Sequence, residues 1–190
     1  MGTGQMMLII GALALLATLT LSINSTIISK YELIYEAEAT VDAISIGQAM
    51  LDEALAQDFD ENTIGIKVTT TAALTSYPLG KDANDAVIPA IDSLNVPGTF
   101  SYNSALPTKT QFSSVGLDDF DDYNRYRRVV YTPRMGRFIV QDTVFYVTDL
   151  NPDTPSSSRT YLKKMVVKVW HQNMNIPLEV SDITIYRRYF

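Results

Sequence analysis

The sequence predicts an α+β protein in which one long amino-terminal helix packs on an antiparallel β-sheet. Three observations support this fold class. The chain opens with a long segment of helical periodicity that has no proline before Pro78. The first part of that segment is apolar and uncharged, whereas the second part is amphipathic. The last third of the chain contains β-branched and aromatic segments separated by turns, which is typical of strands.

We expect the helix to cover residues 5–59, with residues 6–23 as its apolar part. Residues 6–23 carry no charge, and an apolar helix of about 20 residues is long enough to cross the hydrocarbon core of a bilayer. Beyond this part, apolar residues recur at steps of three or four, and we expect them to pack on the sheet, with Ile44 in the core. These positions are Ile27, Tyr31, Ile34, Ala37, Val41, Ile44, Gln48, Leu51, Leu55 and Phe59.

Residues 60–190 are expected to form the globular sheet domain. Within it, residues 60–136 are rich in turn residues and predict a variable surface connection, with a short strand at 64–70. Residues 137–190 predict a three-stranded meander with strands at 137–148, 160–170 and 178–189. Short connections favour antiparallel neighbours, so the long helix is expected to cover one face of this sheet.

Composition excludes several kinds of site. The chain has no cysteine and one histidine, His171, so disulfides, zinc-thiolate sites and multi-histidine metal sites are excluded. It contains no Gly-rich phosphate loop, no nucleophile elbow and no metalloprotease motif. His171 is interpreted as the polar end of a strand. We therefore expect that the protein is not an enzyme.

Charge is distributed unevenly along the chain. Residues 1–124 sum to −12 and residues 125–190 to +6, which gives the net charge of −6. An acidic chain without a recognition motif argues against nucleic-acid binding. Opposite charges on the two parts suit head-to-tail association between copies, although they are also compatible with two solvated faces.

An acidic run at residues 118–124 offers the one candidate metal site. Carboxylate and amide oxygens are the ligands that calcium prefers, but the spacing is not that of an EF-hand loop. The alternative is a turn whose side chains bond local backbone amides, with Arg125, Arg127 and Arg128 neutralising it. The candidate calcium ligands are Asp118, Asp119, Asp121, Asp122 and Asn124.

The chain resembles type IV pilins and pseudopilins. The features that carry the resemblance are Gly4 before an apolar helix, the amphipathic continuation of that helix and the antiparallel sheet behind it. The motif at 120–124 is also similar to one in pilin-like proteins, including a minor pilin of the mannose-sensitive haemagglutinin pilus. Together with the Met-Gly-Thr-Gly-Gln start and residues 59–63, it resembles pilin-like proteins of the Bacteroidetes and Ignavibacteria group.

The resemblance implies that residues 1–4 are a leader, which a prepilin peptidase removes after Gly4 to leave Gln5 as the new amino terminus. It implies that the subunit resides in the inner membrane before an assembly machinery builds it into a helical homo-oligomeric filament at the cell surface. The chain departs from the family in two ways. It has Ile9 where the family carries a glutamate at the fifth residue after the cut, and its leader has no basic residue.

Three functional hypotheses follow. The first is a structural subunit of a type IV pilus-like filament that polymerises through its apolar helix. The second is a membrane-anchored exported binding or adhesion module that uses residues 64–117 and does not polymerise. The third is a pseudopilin of type II secretion. A simple anchor needs only about twenty apolar residues, so the amphipathic continuation of the helix favours a filament subunit.

Overall fold

A computed structural model describes residues 2–80 and 117–187. Residues 81–116, nearly half of the predicted variable connection, lie outside the described residues, and so do residues 188–190. The chain divides into two compact units, Met1–Glu38 and Ala39–Phe190. The architecture is α+β, as predicted: a long amino-terminal helix packs against a four-stranded antiparallel sheet.

Helix α1 spans Thr3–Leu55 and contains 53 residues. It ends four residues before the predicted end at residue 59 because the following backbone groups bond elsewhere. The Asp58 carbonyl accepts a hydrogen bond of 2.8 Å from the Phe120 N–H. Asp60 caps a short 3₁₀ helix at Glu61–Thr63, in which the Thr63 hydroxyl bonds the Asp60 N–H in return. This capping arrangement directs the chain out of the α-helix.

In the first unit, none of the described residues 2–38 is buried. The apolar side chains of residues 6–23 are exposed along the whole stretch. By length and composition α1 is able to cross a membrane, a property that membrane anchors and signal sequences share. The apolar amino-terminal helix therefore indicates membrane association or a signal sequence.

The sheet is a meander in the order β1-β2-β3-β4. Its strands are β1 at Arg127–Thr132, β2 at Gly136–Tyr146, β3 at Leu162–Trp170 and β4 at Leu178–Ile185. All neighbouring pairs are antiparallel. The turn between β1 and β2 closes on Gly136, whose φ of 86° lies in the region that favours glycine.

The three strands predicted at 137–148, 160–170 and 178–189 correspond to β2, β3 and β4, and a fourth strand, β1, precedes them within the predicted connection at 60–136. β1 begins with Arg127 and Arg128, and two successive arginines are not typical of a strand with a buried face. The predicted strand at 64–70 is absent: these described residues form turns and extended backbone with no ladder pairing.

The face of α1 that packs on the sheet matches the predicted one only near the end of the helix, where Leu51 is buried and Leu55 packs against the core. Its buried residues are small or flexible: Ala39, Ala43, Gly47, Met50, Leu51 and Ala54. By contrast, Val41 is 62% and Ile44 is 38% exposed, so the expectation that Ile44 lies in the core was wrong. A Cβ atom placed on Gly47 would lie 2.6 Å from Val180 Cγ2. Small residues therefore let the helix approach the sheet closely, and larger aliphatic residues remain exposed.

Candidate functional site

The two acidic motifs of the sequence meet inside the globular unit at the ammonium group of Lys163. The first motif, at 59–63, follows the end of α1, and the second, at 118–124, precedes β1. Lys163 lies at the start of β3, opposite Tyr146 of β2. We call Asp60, Asp119, Asp121, Tyr146 and Lys163 the buried acid cluster. All five residues are at most 2% exposed.

Lys163 directs its three N–H groups at three oxygens. Its Nζ donates to the Phe59 carbonyl at 2.7 Å, to Asp60 Oδ2 at 2.9 Å and to Asp121 Oδ1. The Phe59 and Tyr146 ring centroids lie 4.6 and 5.2 Å from the same nitrogen. A fully enclosed ammonium needs such partners, because burial of an unpaired charge is strongly unfavourable. Lys163 thus supplies the positive charge around which the two motifs fold.

Asp60 is the carboxylate of the cluster that stays ionised. Thr75 donates to it through its N–H at 3.0 Å and its hydroxyl at 2.9 Å, and the Tyr146 hydroxyl lies 3.1 Å from Oδ2. Burial alone would raise the pKa of Asp60, but the Lys163 ammonium and the bonds from Thr75 outweigh burial and hold the pKa below its usual value.

Asp119 is the carboxyl of the cluster that keeps its proton. Burial, reinforced by the neighbouring Asp121, raises the pKa of Asp119 to about 8. The Asp119 and Asp121 carboxyl groups are hydrogen-bonded to each other. Burial also raises the pKa of Asp121, although Lys163 opposes that shift. The cluster therefore holds a protonated carboxyl beside a carboxyl that contacts an amine nitrogen.

The five candidate calcium ligands do not converge on one point. Asp118 is exposed, and its N–H donates to Asp122 Oδ2 at 3.1 Å, while the Asp122 N–H donates to Asp119 Oδ1 at 3.0 Å. The Asn124 side chain donates to the Leu79 carbonyl at 2.8 Å and accepts from the Val144 N–H at 3.0 Å. Across residues 2–80 and 117–187, no group of three or more acidic or histidine side chains is arranged to hold a metal ion.

These contacts match the turn alternative in part, because two aspartates do bond local backbone amides. Arg128, one of the three arginines expected to neutralise the acidic run, pairs with an acidic residue outside it. Arg128 contacts Glu53 in α1, with its Nη2 atom 2.7 Å from Oε1, and so fastens β1 to the helix. Bonding to Glu53 overcomes the effect of burial and raises the pKa of Arg128. The charge that meets Asp121 comes from Lys163.

His171 follows β3 and has a structural environment. Its Nε2–H donates to the Met135 carbonyl at 2.9 Å, and the Asn173 N–H donates to Nδ1 at 3.1 Å. The ring stacks on Phe138 with centroids 4.4 Å apart. Burial lowers the pKa of His171. Both ring nitrogens thus form hydrogen bonds with backbone groups. This agrees with the interpretation of His171 as the polar end of the strand.

The processing candidates Gly4 and Gln5 lie in the first turns of α1, where the Gln5 N–H donates to the Gly2 carbonyl at 3.0 Å. Both residues are exposed. The position that corresponds to the family's glutamate, Ile9, is 52% exposed. The cleavage after Gly4 stays a prediction.

Sequence reasoning missed Lys163, although a signal for it was present. In β3 the alternating buried positions are Met165, Val167 and Val169, and Lys163 shares their register. A lysine on the inward face of a strand is rare unless it is paired. The acidic motifs at 59–63 and 118–124 contain the carboxylates with which such a lysine could pair.

No protein-family model, curated protein or solved structure matches the chain. What the structure itself provides is a long apolar amino-terminal helix joined to an antiparallel sheet, an arrangement compatible with a pilin-like fold.

Proposed function

We propose that the protein is a structural subunit of a type IV pilus-like filament, polymerising through its amino-terminal helix. Before assembly the apolar part of the helix lies in the inner membrane. A prepilin peptidase cuts after Gly4, and the assembled filament stands at the cell surface. In the filament the apolar helices of many copies cover one another.

One observation carries this proposal: the exposed apolar surface of α1 extends well past the length that a membrane needs. Roughly 20 residues cross the hydrocarbon core. Farther along α1, Tyr31 is 59%, Ile34 is 57% and Val41 is 62% exposed. Large apolar side chains exposed in succession along a helix indicate a surface that another protein covers. Other copies of the same helix would cover both the membrane-length part and its continuation.

The same observation separates the filament from the membrane-anchored binding module. An anchor explains the exposed apolar residues at 6–23, but it leaves those at 27–44 in water. The binding region that the module hypothesis invoked, residues 64–117, lies mostly outside the described residues. A type II secretion pseudopilin would use the same helix and would differ only in its partners.

Electron microscopy of sheared surface material, combined with mass spectrometry of the subunit's amino terminus, tests the proposal. We expect filaments whose subunit begins at Gln5. They should resist high salt, because exposed ion pairs contribute only about 0–1 kcal/mol each and salt screens them. They should dissociate in detergent, which competes for the apolar helix.

Two outcomes would contradict this proposal in different ways. A subunit that keeps Met1 and appears only in the membrane fraction would identify an uncleaved anchor. Filaments that dissociate in salt but persist in detergent would show that the globular units, rather than the helices, hold the copies together.

A further inference from the structure

The buried acid cluster contains the reactants of an amide bond. Lys163 Nζ contacts Asp121 Oδ1, and both side chains are at most 2% exposed. The rings of Phe59 and Tyr146 lie close to the nitrogen, so aromatic surface covers the contact. Two reacting groups held together in a fixed geometry react as if each were present at an effective concentration of about 10⁵ M or more. Exclusion of water also disfavours hydrolysis of the product.

The two carboxylates around Lys163 differ in reactivity. Asp60 accepts hydrogen bonds from Thr75 and stays ionised, and a carboxylate anion resists attack by an amine. Asp121 instead shares a hydrogen bond with the carboxyl group of Asp119. Asp119 lies in the same enclosed space and is 2% exposed. A third carboxyl beside the amine and carboxyl pair can carry protons between them.

We propose that Lys163 and Asp121 form an intramolecular isopeptide bond, with Asp119 as the proton-transferring acid. This inference goes beyond the proposed function and does not depend on filament assembly. The bond would join the segment before β1 to β3 across 42 positions of the sequence. Formation of the amide neutralises Lys163 and Asp121, and the Asp60 carboxylate keeps its hydrogen bonds from Thr75 and Tyr146.

The reaction balances without an oxidant or a further reactant. The Lys163 ammonium first gives one proton to the Asp121 carboxylate, which produces a neutral amine and a neutral acid. The amine lone pair then attacks Asp121 Cγ and a C–N bond forms. Asp119 donates its proton to the leaving hydroxyl group as the C–O bond breaks, and it regains a proton from the nitrogen. The products are the amide and one water molecule, and Asp119 ends as it began.

Peptide mass spectrometry of the purified full chain tests the proposal directly. After digestion we expect one branched peptide in which the Lys163 segment is joined to the Asp121 segment, with the loss of one water molecule. A cyclic imide at an aspartate also loses water, but it joins no second peptide. Recovery of the two segments only as separate linear peptides, each at full mass, would overturn the inference.

Variants identify the residues that act. Asp119→Ala keeps both reactants and should abolish the branched peptide. Lys164→Met is the matched control, since this neighbouring lysine pairs with the exposed Asp153 and should not affect the bond. A branched peptide that persists in Asp119→Ala would overturn the role of Asp119. If a variant fails to fold, the wild-type digest still decides whether the bond exists.

Discussion

At the residue scale, the clearest departure from ordinary protein interiors is Asp142 in β2. Its side chain is fully enclosed, and its two carboxylate oxygens have no hydrogen-bond partner within the described part of the chain. Burial raises the pKa of Asp142 well above its usual value of 3.8, and the nearby Arg128 opposes this only in part. The folded protein thus holds this proton at pH values where the unfolded chain has already released it.

This asymmetry predicts how stability depends on pH. Because the folded chain binds the proton more tightly, the Asp142 contribution is complete below pH 3.8 and is lost as the pH rises toward the raised pKa. Asp142→Asn should make the fall in unfolding free energy between pH 4 and 7 shallower, by up to about 1.4 kcal/mol per pH unit. Denaturant unfolding at a series of pH values measures this slope. The exposed Asp149→Asn is the control, and an unchanged slope in Asp142→Asn would contradict the prediction.

Lys163 shows why individual residues of a buried site are difficult to predict from the sequence. The alternation of β3 assigns Lys164 and Lys168 to the outward face and Lys163 to the inward face. Residue type alone does not distinguish the three lysines. Only the pairing of Lys163 with Asp60 and Asp121, over 100 and 42 positions away respectively, makes its burial tolerable. Contacts at such separations depend on the tertiary fold, whereas the register of one strand is a local property.

At the element scale, the sequence predicted the type and position of α1 but only part of the face that packs on the sheet. Hydrophobic periodicity favours the positions with large aliphatic side chains, because helices usually bury such residues. Here Ala39, Ala43 and Gly47 lie against the sheet, and Val41 and Ile44 are exposed. Under the proposed function these large residues contact other copies. The hydrophobic periodicity of α1 then combines the face that packs on the sheet with the face that contacts other subunits. The sequence did not predict β1 because its two initial arginines interrupt the β pattern; one of them, Arg128, pairs with Glu53 of α1.

Two neighbouring substitutions distinguish the packed face from the exposed face. Ala43→Asp would bury an unpaired charge against the sheet and should lower the free energy of unfolding by several kcal/mol. Ile44→Asp should change it by only about 0.5 kcal/mol, as is usual for exposed positions. We expect Ile44→Asp to fold and yet to fail in assembly. Thermal unfolding compares the two variants, and equal losses of stability would refute the assignment of faces.

A second prediction concerns the stability of a Gly47 substitution at the contact between helix and sheet. Alanine normally improves a helix by about 1 kcal/mol over glycine, but here its methyl group would meet Val180 Cγ2 at 2.6 Å. Because valine has few rotamers, Gly47→Ala should destabilise the fold by about 1–3 kcal/mol.

A double-mutant cycle tests this explanation. Val180→Ala alone should cause a loss through reduced packing, and its combination with Gly47→Ala should recover most of the stability lost by the glycine substitution. Additive losses in the double variant would show that the methyl group does not contact Val180.

At the scale of the whole molecule, two properties of the chain belong together. The globular unit encloses the charged groups of the buried acid cluster, whereas α1 leaves large apolar side chains exposed over much of its length. Folding of a single copy therefore accounts for the sheet and its core but not for the exposed surface of the helix. We propose that association between copies through that surface completes the burial, with apolar packing as the main source of cohesion because residue 9 is an uncharged isoleucine.

Thiol labelling at Val41 measures this association directly. The chain has no cysteine, so Val41→Cys introduces a single thiol at a position that is 62% exposed in one copy and lies beyond the membrane-length part of α1. Leu150→Cys, at a position that is 90% exposed in a loop, is the matched control. We predict that a maleimide labels the Val41→Cys variant much more slowly in sheared surface material than after dissociation in detergent, while the Leu150→Cys variant reacts at the same rate in both. Equal labelling rates of the Val41→Cys variant in the two preparations would contradict polymerisation through the helix.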